Sequence, residues 1–243
     1  MPLTTHRLTF YYDCLSPFSC FAHFVLKRYQ NIWPIELVYK PFLLGGVMAG
    51  SGNLPPAIKP GAAAQRAINM QDFQRNRGYF RVPMLPTPSN FFGPEGPADK
   101  SGLARDMRYQ RLLTAIQLDY PNKVMAATTQ VFDLIHLGEK YRDIDNNVVI
   151  TNEVLEAVCV SVGIPKETCT RIHDDDVKNA LKTTTKEALE KGAFGAPTII
   201  VSKINSSKED EQIYFGSDRF EQLCCTHDFP WVGPCPDHPT AKI

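Results

Sequence analysis

The sequence has no net charge: 26 lysines and arginines balance 26 aspartates and glutamates. Such a chain exerts no long-range pull on phosphate backbones or anionic lipid, which argues against a nucleic-acid partner. No apolar run reaches the roughly 18 residues that span a bilayer, so no membrane segment is expected. Seven cysteines are present, an odd number, and none is arranged as C-x-x-C. That disfavours a disulfide framework, a zinc site and a redox pair, and leaves free thiols as the simpler account. The six histidines are scattered without metal-ligand spacing, so no metal is expected. There is no G-x-S-x-G elbow for a nucleophilic serine. "DIDNN", residues 143–147, begins like a calcium loop but lacks the glycine and glutamate such a loop needs at its sixth and twelfth positions. The apparent first strand starts near Arg7, so no signal or transit peptide is expected ahead of it.

What is there is a globular composition, 43% hydrophobic and 21% charged over 243 residues. That length suits one large domain or one domain with a substantial insertion. "RLTFYYD", residues 7–13, is aromatic and β-branched and reads as a strand. Residues 17–30 place Phe18, Phe21, Ala22, Val25, Leu26 and Tyr29 at helical spacing. "IELVYK", 35–40, alternates as a second strand, giving a βαβ unit with a parallel pair. Residues 45–61 and 82–98 are too rich in glycine and proline for regular structure, and read as two long loops.

Residues 101–191 read as five helices. Stripes run through Leu103, Met107, Leu112, Leu113 and Ile116, and through Val124, Thr128, Val131, Phe132 and Ile135. Thr151 caps a third helix, Pro165 starts a short fourth, and a fifth closes at Gly192. "DDD", 174–176, reads as a solvated face. After Gly192 the pattern returns to β: strands at 197–203 and 213–216 form a hairpin, and a last helix over 217–225 takes Ser217 or Asp218 as its cap. The order β-α-β, five helices, β-β-α is a thioredoxin-like α/β fold with an all-helical insertion. Residues 1–60 and 192–243 form the thioredoxin-like domain, and 61–191 the insertion.

Ser16 stands at the junction of the first strand and helix, with Pro17 at the first helical position. Serine as cap and proline at N1 make a favourable helix start without any other role. The fold, however, puts Ser16-Pro17-Phe18-Ser19 where a thioredoxin carries C-x-x-C, so Ser16 is expected to be exposed at the positive end of a helix. "GAFGAP", 192–197, puts Pro197 at the start of a strand facing that helix. In this fold that bond is typically cis, and Ala196 offers backbone groups to an extended peptide. "FGSDRF", 215–220, gathers hydroxyl, carboxylate and N–H groups suited to an amino acid's charged end. Together these form a groove for a short peptide with its sulfur at Ser16.

The segments "YYDCLSPFSC", "RYQNIW", "SGNLPP", "GAFGAP" and "FGSDR" resemble those of kappa-class glutathione transferases, which are related to 2-hydroxychromene-2-carboxylate isomerases and DsbA-like proteins. The resemblance runs from about residue 7 to "WVGP" at 231–234. It implies that Ser16 is the catalytic hydroxyl that hydrogen-bonds a glutathione thiolate. It implies that Pro17, Phe18, Asn53, Ala196, Pro197, Ser217 and Asp218 bind the tripeptide, Ser217 and Asp218 holding its γ-glutamyl end. Ser19 falls at the more buried second position. Phe18 and Cys20 stand where the family commonly has tyrosine and tryptophan, and Ala196 is smaller than the usual aliphatic residue. The resemblance further implies glutathione as co-substrate without a permanently bound cofactor, a small apolar electrophile as second substrate, and a homodimer. The electrophile pocket is expected between the thioredoxin core and the loops around 45–61 and 82–98. Glutathione-dependent isomerisation and a purely binding, assembly-type role are the alternatives. "PTAKI" at the C-terminus resembles a loose peroxisomal address, Ala241-Lys242-Ile243, with mitochondrion or cytosol as alternatives.

Overall fold

The computed structural model describes residues 4–54, 59–61, 63–96, 101–204 and 210–237. A four-stranded sheet runs through it in the order β2-β1-β3-β4. β1 (His6–Tyr12) and β2 (Ile35–Pro41) pair in parallel, from His6 opposite Ile35 to Tyr12 opposite Pro41. The crossover between them is α1 (Pro17–Tyr29). β3 (Thr198–Lys203) returns antiparallel to β1, with Tyr11 opposite Thr198, and β4 (Gln212–Phe215) closes a hairpin on β3. α8 (Phe220–His227) follows. This is the thioredoxin arrangement. Between its halves lie α2 (Leu44–Ser51), α3 (Ala63–Tyr79), α4 (Arg108–Asp119), α5 (Val124–Phe132), α6 (Asn152–Ser161), a 3-10 segment (Lys166–His173) and α7 (Asp175–Glu190).

Alternation along β1 sorts its side chains to two faces. Leu8, Phe10 and Tyr12 are fully buried in the larger core with Tyr39, Ile199 and Val201. Phe10 and Tyr12 stack at 4.9 Å. Tyr11 and Ile200 face the other way, into a smaller core with Phe42, Val47 and Ala188. α1 buries Phe21, Ala22, Val25 and Leu26 completely, the apolar face read from its spacing. The chain near its C-terminal end straps across α1: Tyr29 Oη donates to the Gly233 carbonyl at 2.6 Å and Trp33 Nε1 to that of Pro230 at 2.8 Å.

Three details depart from the sequence reading. The stretch 45–61, read as irregular, holds helix α2. Its cap comes from outside: the Leu44 amide donates to Asp13 Oδ2 at 2.8 Å and the Leu43 amide to Thr185 Oγ1 at 3.0 Å. Two of its glycines face α7: a Cβ on Gly50 would stand 2.6 Å from Leu189 Cδ1, and one on Gly46 3.1 Å from Thr185 Cγ2. Helix α3 was not expected either, because "QDFQRNRGY" has almost no apolar periodicity; Phe73 makes its packing contact, 6.0 Å from the Phe21 ring. The last helix begins at Phe220 with Arg219 at the N-cap, so neither Ser217 nor Asp218 caps it. Gly216, at φ +94°, turns the chain out of β4, and Gly216 to Asp218 form the bend. The "DDD" run is exposed, as read, and two of its members pair with Arg171, Asp174 at 3.1 Å and Asp176, alongside Asp119. Thr151 does cap α6, accepting from the Val154 amide, and the fourth helical segment starts just after Pro165. All seven cysteines are free. Ala241-Lys242-Ile243 lies outside the described residues.

Candidate functional site

Ser16 is the N-cap of α1. Its Oγ accepts from the Ser19 amide at 3.2 Å. Its carbonyl accepts from the Cys20 amide at 3.2 Å. Pro17 has no N–H, so the Phe18 amide is the first-turn donor with no acceptor inside the helix. The Ser16 hydroxyl proton is also engaged: it is donated to the Ala196 carbonyl at 3.1 Å. That hydrogen bond joins the start of α1 to the turn before β3. Ser16 is only 5% exposed, against the expectation of an exposed position. The reason is the same hydrogen bond, which draws Ser16 under the 192–197 turn.

The Ala196–Pro197 peptide is cis, and both residues are buried. Asn53 reaches the same turn: its Nδ2 donates to the Phe194 carbonyl at 2.9 Å and its Oδ1 accepts from the Leu54 amide at 2.9 Å. Gly52, at φ +71°, ends α2 in a left-handed cap, and the Asn53 amide then bonds the Met48 carbonyl at 3.0 Å. The glycine cap therefore aims Asn53. The Gly216 amide donates to the Pro197 carbonyl at 3.0 Å and fastens the Ser217–Asp218 bend to the same turn. Ser217 is buried; Asp218 is exposed and pairs with Arg219 at 3.0 Å. Ser16, Asn53, Ala196 and Pro197 are thus linked by hydrogen bonds around one turn, with Ser217 and Asp218 one strand end away. Phe18 is half-buried, its ring 6.4 Å from that of Phe21.

Three buried polar residues that the sequence reading passed over hold this assembly. The Asp13 carboxylate accepts from the Leu15 amide at 3.0 Å and the Leu44 amide at 2.8 Å, and also bonds Tyr109. Burial pushes its pKa up to about 6, against the pull of those donors. Gln110, on α4, donates to the carbonyls of Tyr12 and Phe42, both at 2.9 Å, and its Oε1 faces the Cys14 amide at 3.4 Å. His136 Nε2 meets the Cys14 carbonyl at 2.7 Å. Gln110 lies one turn before Leu113 on a buried stripe of α4. A polar side chain on an apolar stripe was the signal available for it. His136 sits in a π-turn, Asp133–Leu137, that no periodicity announces.

Cys14 and Cys20 flank Ser16 but are wholly buried, and burial pushes both thiols up. Neither can supply a thiolate near neutrality. His23 bonds Tyr39 Oη and Thr129 Oγ1, both at 2.9 Å, and is no base for Ser16. The arrangement lacks the parts of an acyl-enzyme site. It offers a hydroxyl, a helix N-terminus and a strand-like backbone edge, which suit a ligand bringing its own sulfur anion. The loop 82–98 does line a cleft of about 520 Å³, including Asn90, Phe91 and Phe92. Its far wall is Asn147 rather than the 45–61 segment, and no Ser16-site residue lines it. The electrophile pocket expected there is not where this cleft lies.

A family model described as the DSBA-like thioredoxin domain matches residues 7–224. Among curated proteins, glutathione S-transferase kappa 1 of Rattus norvegicus is 31% identical over 238 residues, spanning 97% of each chain. The Homo sapiens protein of the same name is 31% identical over 233 residues, spanning 96% of each. Among solved structures, a 2-hydroxychromene-2-carboxylate isomerase shares the fold with a TM-score of 0.67 at 16% identity, covering 91% of this chain and 94% of that one.

Proposed function

The chain belongs to the DSBA-like thioredoxin family and, within it, to the glutathione S-transferase kappa group, and from that premise we propose that it is a glutathione transferase whose Ser16 hydroxyl stabilises the thiolate of bound glutathione. The observation that carries this reading is the 3.1 Å hydrogen bond from Ser16 Oγ to the Ala196 carbonyl. It puts a rotatable hydroxyl where the first helix meets the backbone edge that an extended tripeptide would use.

Glutathione lies along the 192–197 turn in this reading. Its cysteinyl backbone pairs with Ala196, and its γ-glutamyl end reaches the Ser217–Asp218 bend. A ligand N–H on the Ala196 carbonyl competes with the Ser16 hydroxyl for that oxygen. The freed hydroxyl rotates and donates to the sulfur, while the Phe18 amide faces it from the first turn. Asn53 keeps the Phe194 carbonyl, and with it the turn, in register. A free thiol has a pKa of about 8.5. A hydrogen bond to an anion contributes about 1.5–3 kcal/mol, and a helix N-terminus about 0.3–1 kcal/mol. At about 1.4 kcal/mol per pKa unit, these together lower the bound thiol by roughly one to three units. The thiol proton leaves to solvent, and the thiolate attacks a small apolar electrophile; with an aryl halide the carbon–sulfur bond forms at the ring carbon and halide leaves with the electron pair of the broken carbon–halogen bond. Ser16 donates a hydrogen bond throughout and forms no covalent bond.

The test is Ser16→Ala, assayed with glutathione and an aryl halide beside an ultraviolet titration of the bound thiol. The expected outcome is a ~10–100-fold loss in kcat/KM, corresponding to the lost charge-assisted hydrogen bond, and a bound-thiol pKa back near that of the free thiol. Turnover close to wild type removes Ser16 from the mechanism.

A further inference from the structure

We infer that Gln110 and His136, both carried by the helical insertion, are positioning residues that set the Ser16 loop against the glutathione sulfur. The inference rests on the thiolate reading above and extends it from the loop to the elements that hold the loop.

The sheet stops at Tyr12, the last residue of β1. The peptide units from Asp13 to Ser16 therefore have no strand partner and must find hydrogen bonds elsewhere. The Ser16 amide bonds the Asp13 carbonyl at 3.1 Å and the Leu15 amide bonds Asp13 Oδ1 at 3.0 Å, both within the loop. The side chains of Asp13 and Ser16 reach other segments, at Leu44 and Ala196, but Cys14 is held by its backbone, at both the carbonyl and the amide, from the helical insertion. His136 grips its carbonyl at 2.7 Å, and Gln110 Oε1 faces its amide at 3.4 Å. A carbonyl only accepts, so His136 carries its proton on Nε2. Gln110 also ties the carbonyls of Tyr12 and Phe42, the ends of β1 and β2, at 2.9 Å each. All of this is buried: Gln110 and Cys14 have no exposed surface. The π-turn is what brings His136 to that point, closed by the Gly138 amide on the Asp133 carbonyl at 2.7 Å. Such one-residue bulges cost helix regularity and commonly mark functional positions.

Cys14 lies two residues before Ser16. A thiolate hydrogen bond is lost over a fraction of an ångström, so a loop released at Cys14 loses the Ser16–sulfur geometry before it loses the ability to bind the tripeptide. Ala196, Ser217 and Asp218 belong to other segments, outside the stretch that is released.

The experiment compares wild type, Ser16→Ala, His136→Leu, Gln110→Met and His136→Gln. It reads the bound-thiol pKa by thiolate absorbance, with kcat and KM for glutathione measured separately. His136→Leu and Gln110→Met are expected to raise the bound-thiol pKa by about half to one unit, a ~3–10-fold loss of thiolate, and to lower kcat in proportion. KM for glutathione should change less than kcat, within ~2-fold, because the Ala196 edge and the Ser217–Asp218 bend lie outside the released stretch. His136→Gln keeps an N–H donor and should recover most of the shift. Folded His136→Leu and Gln110→Met proteins with wild-type thiol pKa and kcat overturn the inference, whatever their melting temperatures. If His136→Leu does not fold, the near-isosteric Gln110→Met decides. Ser16→Ala separates the two levels: if wild type binds glutathione without ionising it, the thiolate reading fails and takes this inference with it. If wild type ionises it, Ser16→Ala does not, and the two insertion variants do, only the positioning role fails.

Discussion

Ser16 and Ser19 carry the same hydroxyl less than one turn apart on α1, and their surroundings give them opposite roles. The Ser16 Oγ accepts from the Ser19 amide and donates to the Ala196 carbonyl, so it is both a cap and a bridge between elements. Among the described residues the Ser19 Oγ is buried with no hydrogen-bond partner. A buried hydroxyl without a partner costs about 1–3 kcal/mol of desolvation, so deleting it relieves the fold rather than harming it. Ser19→Ala is therefore expected to leave turnover and the bound-thiol pKa within ~2-fold of wild type and to hold or raise the melting temperature. Ser16→Ala should lose about 1 kcal/mol of cap stability in addition to its activity. A larger loss of turnover in Ser19→Ala than in Ser16→Ala, measured side by side, would mean that the tripeptide sulfur sits against the second serine rather than the first.

Helix α2 shows how an element that its own residues disfavour is installed by its neighbours. Each glycine in a helix interior costs up to about 1 kcal/mol relative to alanine, and α2 has Gly45, Gly46 and Gly50 within Leu44–Ser51. The cost is met by caps from Asp13 and Thr185 and by close approach to α7. Gly45 has open space where a Cβ would go, whereas a Cβ on Gly50 would press on Leu189. Gly45→Ala should raise stability by up to about 1 kcal/mol. Gly50→Ala should lower it by about 1–2 kcal/mol and raise KM for glutathione, because lifting α2 displaces the Gly52 cap that aims Asn53. Thermal melts of the pair check the sign, and a Gly50→Ala protein as stable as Gly45→Ala would deny that α2 is packed by its glycines. The contrast also explains what could be read from the residues alone. β1, α1 and the β3–β4 hairpin follow from local periodicity, and Ser16, Ala196 and Pro197 from local punctuation. α2 could not be read, because its stabilising partners lie 31 and 142 positions away in the chain. α3 was silent for lack of an apolar stripe. Gln110 and His136 reach the loop across 96 and 122 positions, a separation at which spacing says nothing.

For the molecule as a whole, acid is the condition that finds these buried contacts. His23 joins α1 to Tyr39 on β2 and Thr129 on α5, and His136 joins the insertion to Cys14. Burial pushes His23 down to about 3 and His136 down to about 4. In the unfolded chain both return to about 6.5. Between about pH 6.5 and 4 the unfolded chain therefore binds more protons than the native one, and stability falls as the pH falls, at about 1.4 kcal/mol per unit per group. Asp13 works in the opposite direction. Its native pKa is pushed up to about 6, above the unfolded carboxylate at about 3.9, so the native state gains stability as Asp13 takes up its proton between about pH 6 and 4. From pH 7 to 4.5 the two histidines remove about 5 kcal/mol and Asp13 returns about 2, a net loss of about 3 kcal/mol. For a chain of this size that lowers the melting temperature by roughly 6–12 °C. The loss belongs to the globule rather than to the catalytic loop, because a protonated His136 still donates from Nε2 to Cys14. His23→Leu separates the contributions. It strands Tyr39 and Thr129, so it should melt earlier than wild type at pH 7. With one titrating histidine gone, the remaining histidine and Asp13 nearly cancel, so its fall between pH 7 and 4.5 should almost disappear. Parallel melting curves for the two proteins across that range would show that the acid limb is set by other groups.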